Sequence, residues 1–123
     1  MDLNSKGYES LLRKRIDDID ASGHNGIDGV YRKNGEYFIV EGKYSGSASL
    51  NSANPATKLP RQMSDEWIQP RLADAVGADL AQDIVFDGYI RVLAKVAPDG
   101  SVIYRLINES GRVIRGAAGD FIP

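Results

Sequence analysis

The chain has 123 residues, of which 42% are hydrophobic, which suffices for one ordinary hydrophobic core and predicts a single domain over residues 1–123. It contains no cysteine, which excludes disulfide bonds and cysteine-ligated zinc. Its 17 acidic and 15 basic residues give a net charge of −2, so any nucleic-acid partner has to be bound by a local basic patch rather than by overall charge.

The first predicted element is an amphipathic helix over Asn4–Asp20. Its apolar residues recur at three- and four-residue spacing along one stripe: Tyr8, Leu11, Leu12, Ile16 and Ile19. Glu9 lies at the edge of this stripe, so its carboxylate is either solvated or directed towards the sheet that follows. The polar break Ala21–Asn25 carries His24, the only histidine, which is either an exposed loop residue or a group that transfers protons or contacts a phosphate.

The strongest local signal is the pair Asn34-Gly35, which separates two apolar runs, Ile27–Tyr31 and Tyr37–Tyr44. Asn-Gly between β-forming residues predicts a two-residue type I′ hairpin, because both residues tolerate a positive φ. The register that this turn imposes places Asp28 directly opposite Glu41.

Asp28, Glu41 and Lys43 are the candidate catalytic residues. Since side chains alternate along a strand, Lys43 projects from the same face as Glu41 and lies diagonal to Asp28. Opposed carboxylates with Cβ atoms roughly 5 Å apart repel each other unless they share a divalent cation, and oxygen ligands suit Mg²⁺ or Mn²⁺. A lysine beside such an ion can orient an attacking water or stabilise charge on a phosphate. The alternative is an exposed hairpin on which Lys43 neutralises the carboxylates.

The segment Ser45–Arg61 is polar, rich in Ser, Ala and Asn, and interrupted by two prolines. A connection of this length is usually functional or mobile, so its hydroxyl groups and Lys58 either line a substrate backbone or belong to a surface loop. Arg61 is a further candidate for substrate contact. The run Ala48–Leu50 is compatible with a short third strand.

A second helix is predicted over Gln62–Val76, with Ser64 as its N-cap and acidic residues in its first turn. Pro70 lies too far along the segment for a first-turn proline. We therefore expect it to kink the segment, or to divide it into a turn and a helix that begins at Pro70. Trp67 is expected in the core, and Gly77 ends the segment.

The C-terminal third is predicted to be β-rich and to complete the sheet. The segment Asp79–Asp83 is interpreted as a short link or as one more helical turn. The run Ile84–Phe86 is interpreted as a short strand or as the lead-in to one. The elements that follow are a strand at Gly88–Val96, a turn at Pro98–Gly100, an antiparallel strand at Ser101–Ile107, a turn at Asn108–Gly111, and a last extended stretch at Arg112–Ile114. The Gly-rich end, GAAGD, is interpreted as a tail.

The spacing of Asp28, Glu41, Gly42 and Lys43 resembles the Asp…Glu-x-Lys signature of the PD-(D/E)XK, restriction-endonuclease-like nucleases. The sequences GIDGVY, VEGKYSG and QMSDEWIQPRL are more narrowly similar to the nuclease toxin domains at the C-termini of contact-dependent growth inhibition and Rhs-type polymorphic toxins. The resemblance extends over Gly23–Leu72. It implies an α/β (α+β) fold with a restriction-endonuclease-like core, in which a mixed sheet with a central β-hairpin is flanked by helices.

The resemblance also implies a metal-dependent nuclease that hydrolyses DNA or tRNA as a bacterial toxin effector domain. Mg²⁺ is the expected ion, with Mn²⁺ or Zn²⁺ as alternatives, held by Asp28, Glu41 and a glutamate of the first helix, for which Glu9 is the candidate. Gln62 and Arg71 are expected to face the site from the second helix. A cognate immunity protein is the implied protein partner, and the domain would be exported within a larger protein to act in the cytoplasm of a target cell.

Two other functions fit the same residues: a noncatalytic binding module, in which the charged residues form a surface ion cluster of little energetic value, and a housekeeping repair nuclease. The sequence has no Walker loop, dinucleotide-binding glycine pattern, zinc-protease helix or nucleophile elbow. No apolar run approaches the roughly 20 residues that a membrane-spanning helix needs, and no signal-peptide pattern opens the chain, so we expect no membrane partner.

Overall fold

The computed structural model describes residues 3–12, 26–44 and 60–123. Its strands are β1 (Glu9–Ser10), β2 (Gly29–Lys33), β3 (Glu36–Tyr44), β4 (Ile90–Val96) and β5 (Val102–Ile107), and its helices are α1 (Asp65–Val76) and α2 (Ala78–Asp87). Two 3₁₀ turns, Asn4–Lys6 and Ala117–Gly119, lie towards the two ends of the chain. The second half of the predicted first helix, His24, the run Ala48–Leu50 and Lys58 lie outside the described residues.

The five described strands form one mixed sheet in the order β1-β2-β3-β4-β5. Neighbouring strands are antiparallel except for β3 and β4, which run parallel. A parallel pair needs a long crossover connection, and here α1 and α2 lie in that connection. The predicted mixed α/β class, with a hairpin inside a mixed sheet, is confirmed.

The β2–β3 hairpin has the predicted turn and register. Asn34 and Gly35 have φ values of 54° and 80°, both positive as a type I′ turn requires. Lys33 pairs with Glu36, and Gly29 pairs with Val40. Because the pairing proceeds without a bulge, one further step along the same register leads to Asp28 and Glu41.

Both faces of the sheet are buried. One face, called here the helix face, packs against α1 and α2 through a cluster that includes Val30, Ile39, Trp67, Leu72, Ile84 and Leu93. The other, called here the terminal face, is covered by residues from both ends of the chain, and its cluster includes Leu3, Tyr8, Phe38, Val40, Val92 and Phe121. Consequently the stretch of β3 from Tyr37 to Glu41 is buried throughout instead of alternating between buried and exposed positions.

The helix predicted over Asn4–Asp20 is wrong in the part that the structure describes. Asn4–Lys6 forms a single 3₁₀ turn, and Glu9–Ser10 pairs with β2 as strand β1. Tyr8 packs on the terminal face, whereas Leu11 packs on the helix face. Their three-residue spacing, which matches a helical stripe, therefore serves an extended chain that contributes one side chain to each face.

Helix α1 begins at the predicted cap but is not divided by its proline. The Ser64 hydroxyl accepts a hydrogen bond from the Trp67 N–H at 3.3 Å. The helix then continues through Pro70 to Val76. The proline removes the hydrogen bond to the Glu66 carbonyl, but both residues are exposed, so water can satisfy that carbonyl and the helix persists.

The run Ile84–Phe86 belongs to the last turns of α2 and is not a strand, so this prediction is wrong. Ile84 is fully buried, whereas the Phe86 side chain is 90% exposed. Three consecutive apolar residues do not identify a strand, because a helix end with one buried position gives the same pattern. Within the three described ranges, no helix is long and apolar enough to cross a membrane.

The Gly-rich end is fixed to the sheet rather than forming a tail. The Arg105 guanidinium donates hydrogen bonds to the carbonyl oxygens of Ile114 at 2.7 Å and Gly116 at 2.8 Å. Beyond this anchor, the Phe121 ring packs against Phe38 with 5.8 Å between ring centroids. The C-terminal residues thus close the terminal face, a role that the small residues of GAAGD do not indicate.

Phe121→Ala is expected to lower the free energy of unfolding by roughly 2 kcal/mol, because it removes a partly buried ring from the terminal face. The control Ile122→Ala removes a side chain that is 90% exposed and should change stability by less than about 0.5 kcal/mol. Urea denaturation followed by the fluorescence of Trp67, the single tryptophan, measures both. Equal effects of the two substitutions would contradict a packed C-terminal segment.

Candidate active site

The candidate residues lie at one end of the helix face, where the parallel strands β3 and β4 both reach their carboxyl ends. In the parallel register, Glu41 lies beside Leu93 and Lys43 lies beside Lys95. Leu93 belongs to the core beneath the helices, whereas both lysines are partly exposed. The carboxyl ends of parallel strands are the usual position of ligand sites in α/β sheets. Here they join the buried core to an open, charged margin.

Asp28 precedes β2 by one residue and lies across the hairpin from Glu41. The Gly42 N–H donates a hydrogen bond to Asp28 Oδ2 at 3.0 Å. This bond holds the Asp28 carboxylate against the backbone of β3, at the position that the hairpin register assigns to it. The two carboxyl groups are close enough for the charge of Asp28 to act on Glu41. The predicted juxtaposition of the two acids is therefore present.

Glu41 is only 4% exposed, which is rare for a carboxyl group. Its Oε2 lies 3.4 Å from Lys43 Nζ. Its Oε1 is buried and has no hydrogen-bond partner among the residues that the structure describes. When Glu41 is ionised, this buried oxygen without a partner costs about 1–3 kcal/mol, whereas the protonated carboxyl group can donate a hydrogen bond to the Asp28 carboxylate.

The pKa of Glu41 is raised from its ordinary value of 4.5 to about 8. Burial is the main cause and the charge of Asp28 is the second, while Lys43 acts in the opposite direction. Without a cation, the Glu41 carboxyl group therefore holds a proton at neutral pH. Because carboxylate ligands bind metals in their ionised form, a divalent cation has to displace this proton.

Asp28 and Glu41 suit a hard cation such as Mg²⁺ or Mn²⁺. Mg²⁺ is often held by one or two carboxylates and completes its coordination with water and phosphate oxygens. Within residues 3–12, 26–44 and 60–123, no group of three or more His, Cys, Asp or Glu side chains is placed to hold a metal. This donor set fits Mg²⁺ better than Zn²⁺, which usually takes three or four protein ligands.

Glu9 is not placed at this site, which corrects its assignment as a metal ligand from a first helix. It lies in β1 opposite Arg32, and its Oε1 accepts a hydrogen bond from Arg32 Nη2 at 2.8 Å. Arg32 is four residues along the chain from Asp28, a distance of roughly 13 Å in an extended strand. The Glu9–Arg32 pair is an exposed ion pair at the far edge of the sheet.

Two of the predicted substrate contacts, Gln62 and Arg61, lie elsewhere. The Gln62 carbonyl oxygen packs against Gly111, where a Cβ atom would lie only 2.6 Å from that oxygen. Arg61 borders the same turn. This turn follows β5, which is antiparallel to β4, so it lies at the end of the sheet opposite the candidate site. Arg71 stacks on Trp67 with 4.4 Å from its Cζ to the ring centroid and donates to the Trp67 carbonyl.

Lys95 lies next to Lys43 at the site, and the sequence alone does not reveal this contact. Alternation along β4 places Lys95 on the same side as Arg91 and Leu93, but it does not show which strand lies next to β4. Arg91, the other cation on this side of β4, forms an ion pair with Asp65 at the start of α1. In the structure, β4 pairs with β3 across the helical crossover, and this pairing places Lys95 next to Lys43.

No protein-family model matches the chain, and no curated protein matches its sequence. The resemblance to PD-(D/E)XK nucleases therefore rests on the residues that carry it, Asp28, Glu41, Gly42 and Lys43, and on their arrangement in the hairpin. The chemistry of these side chains is the basis for any functional conclusion.

Glu41→Gln is expected to stabilise the metal-free protein by a few kcal/mol above about pH 7. Between pH 4.5 and about 8, Glu41 is ionised in the unfolded chain but protonated in the folded protein, so folding takes up a proton. Wild-type stability therefore falls as pH rises through this window, by up to about 1.4 kcal/mol per pH unit. Glutamine cannot ionise, so the variant loses this part of the slope.

Chemical denaturation in EDTA at about pH 5.5, 7 and 8.5 measures this slope for the wild type and for Glu41→Gln. Glu36→Gln is the matched control, because Glu36 is exposed next to the hairpin turn and its substitution should leave the slope unchanged. The same pH dependence in wild type and Glu41→Gln would contradict a buried, protonated carboxyl group at position 41.

Proposed function

We propose that this domain is a metal-dependent nuclease that hydrolyses phosphodiester bonds in DNA or tRNA. One observation carries the proposal: Asp28 and Glu41 lie side by side at the edge of the buried core, and when both are ionised the buried Oε1 of Glu41 has no hydrogen-bond partner in the described part of the chain. A purely structural ion cluster would satisfy both oxygens of a buried carboxylate. A cation site keeps an oxygen available for the ion, and Lys43 adds a positive charge that suits a phosphate substrate.

The roles of the three residues follow from their chemistry. Asp28 and Glu41 would hold Mg²⁺ or a similar ion through their carboxylate oxygens. When bound, such an ion supplies Lewis acidity towards the scissile phosphate and lowers the pKa of water. Lys43 donates a hydrogen bond either to the attacking water or to the phosphate oxygens as their charge increases. The Gly42 N–H keeps the Asp28 carboxylate in position throughout.

The architecture supports a restriction-endonuclease-like core. A mixed sheet contains the hairpin β2–β3, two helices connect the parallel strands β3 and β4, and the Asp…Glu-x-Lys residues lie at the strand ends. The N-terminal region departs from that expectation, because β1 replaces the first part of the predicted helix. The ligand set that we propose is accordingly Asp28 and Glu41, without Glu9.

The proposal extends to a bacterial toxin effector domain that is exported within a larger protein, acts in the target-cell cytoplasm and is neutralised by a cognate immunity protein. The similarity of GIDGVY, VEGKYSG and QMSDEWIQPRL to polymorphic toxins supports this assignment. A small neighbouring reading frame whose product binds the domain and blocks cleavage would favour the toxin over a housekeeping repair nuclease.

The purified domain is expected to cleave either plasmid DNA or total tRNA in Mg²⁺ and to lose this activity in EDTA. Asp28→Asn, Glu41→Gln and Lys43→Ala should each reduce the cleavage rate by about 100-fold or more, because each removes a ligand or a charge that acts on the phosphate. Glu36→Gln and Lys6→Ala remove the same charges at exposed positions outside the site and should retain wild-type rates.

Calorimetric titration with Mn²⁺ tests the ion separately from cleavage. Wild type should bind the ion and release a proton at about pH 7, whereas Glu41→Gln should bind much more weakly. Cleavage that persists in EDTA would keep the nuclease but reject the metal mechanism. A folded protein that neither binds Mn²⁺ nor cleaves either substrate would favour the noncatalytic binding module.

A further inference from the structure

Two lysines lie side by side at the open margin of the candidate site. Lys43 of β3 and Lys95 of β4 are direct partners in the parallel register, so both side chains project from the helix face. Neighbouring strands are about 4.8 Å apart, which brings two ammonium-bearing side chains into adjacent positions. Like charges in such positions destabilise a sheet, so packing of the sheet does not account for this pair.

Lys43 has an anionic partner, but Lys95 does not have one among the residues that the structure describes. Lys43 Nζ lies 3.4 Å from Glu41 Oε2. The other ion pairs of the described ranges join Arg32 to Glu9, Arg91 to Asp65 and Arg105 to Asp120, and none includes Lys95. Within the described ranges, no acidic side chain therefore neutralises the cation next to Lys43.

The surroundings of Lys95 are accessible. The next residue across the sheet is Ile103 of β5, and its side chain is 63% exposed. Two residues earlier on β4, Leu93 is buried in the helix-face core. The cover provided by α1 and α2 therefore ends between Leu93 and Lys95, which leaves this margin open on the described part of the fold.

The local charge also favours a phosphate polymer. Asp28 and Glu41, when ionised, balance the charges of Lys43 and Lys95. A divalent ion held by the two acids would leave this group of four side chains with two net positive charges. A nucleic-acid backbone carries one negative charge per phosphate, so two adjacent phosphates would match these two positive charges.

We propose that Lys95 is a substrate-binding residue that contacts a backbone phosphate of the nucleic acid next to the scissile phosphate, while Lys43 serves the reacting phosphate itself. This inference rests on the nuclease function proposed above. A phosphate contact positions the strand without reading its bases, so the contribution of Lys95 is independent of nucleotide sequence.

Fluorescence anisotropy with a labelled DNA duplex and with labelled tRNA, in EDTA to prevent cleavage, measures this contact. Affinities are determined at about 50, 100 and 200 mM salt for the wild type, Lys95→Ala, Lys95→Gln and Lys95→Arg. Loss of one phosphate contact should weaken binding by about three- to tenfold and reduce the slope of log K against log salt concentration by about one. Lys95→Arg should keep the wild-type slope, because it keeps the charge.

Lys6→Ala is the charge-matched control, since Lys6 is exposed in the 3₁₀ turn that precedes β1. Equal losses in Lys6→Ala and Lys95→Ala would overturn the inference, as would a wild-type slope in both Lys95→Ala and Lys95→Gln. In either case, cleavage by the wild type would leave the proposed nuclease intact. A wild type that neither binds nor cleaves either nucleic acid would overturn both. Mn²⁺ affinity should be the same in Lys95→Gln and the wild type, which separates a substrate contact from a role in holding the ion.

Discussion

The register of the β2–β3 hairpin is the constraint on which the rest of the site depends. Asn34 and Gly35 both adopt positive φ, and this turn pairs Gly29 with Val40 and thereby brings Asp28 towards Glu41. A slip of one residue would turn one of the two acids to the opposite face of the sheet. Because both faces of β3 are packed, such a slip would also exchange two sets of buried side chains, so the core and the site enforce the same register.

The arrangement of charges at the carboxyl ends of β3 and β4 lowers the stability of the folded protein. Asp28 and Glu41 are two acids in adjacent positions, Glu41 is buried with an unpartnered oxygen in the described structure, and Lys43 and Lys95 are two adjacent bases. Apolar residues at position 41 would satisfy the core better. Residues that lower stability are expected at functional sites, where a bound ligand supplies the missing interaction partners. A cation would satisfy the acids, and phosphates would satisfy the bases.

The features that could be predicted from sequence are those encoded within a few residues: the Asn34-Gly35 turn, the Ser64 cap and the juxtaposition of Asp28 with Glu41. The failed first helix and the missed Lys95 have a non-local cause. Tyr8 and Leu11 have helical spacing, but each packs on a different face of a sheet whose two covers are set by distant parts of the chain. Lys95 becomes a neighbour of Lys43 only through the β3–β4 pairing, which the sequence of either strand does not specify.

The net charge of −2 and a phosphate substrate are compatible because charge acts locally. At physiological ionic strength the screening length is about 8 Å, so charges on the far edge of the sheet, such as the Glu9–Arg32 pair, contribute little at Lys43. Among the described residues, Asp28, Glu41, Lys43 and Lys95 set the potential at the site, together with any bound ion. At neutral pH, with Glu41 protonated, these four side chains carry one net positive charge, and a divalent ion held by both ionised acids would raise it to two. Under the proposed function, substrate affinity would therefore depend on the metal, and an acidic domain would attract a phosphate backbone mainly where the backbone is cleaved.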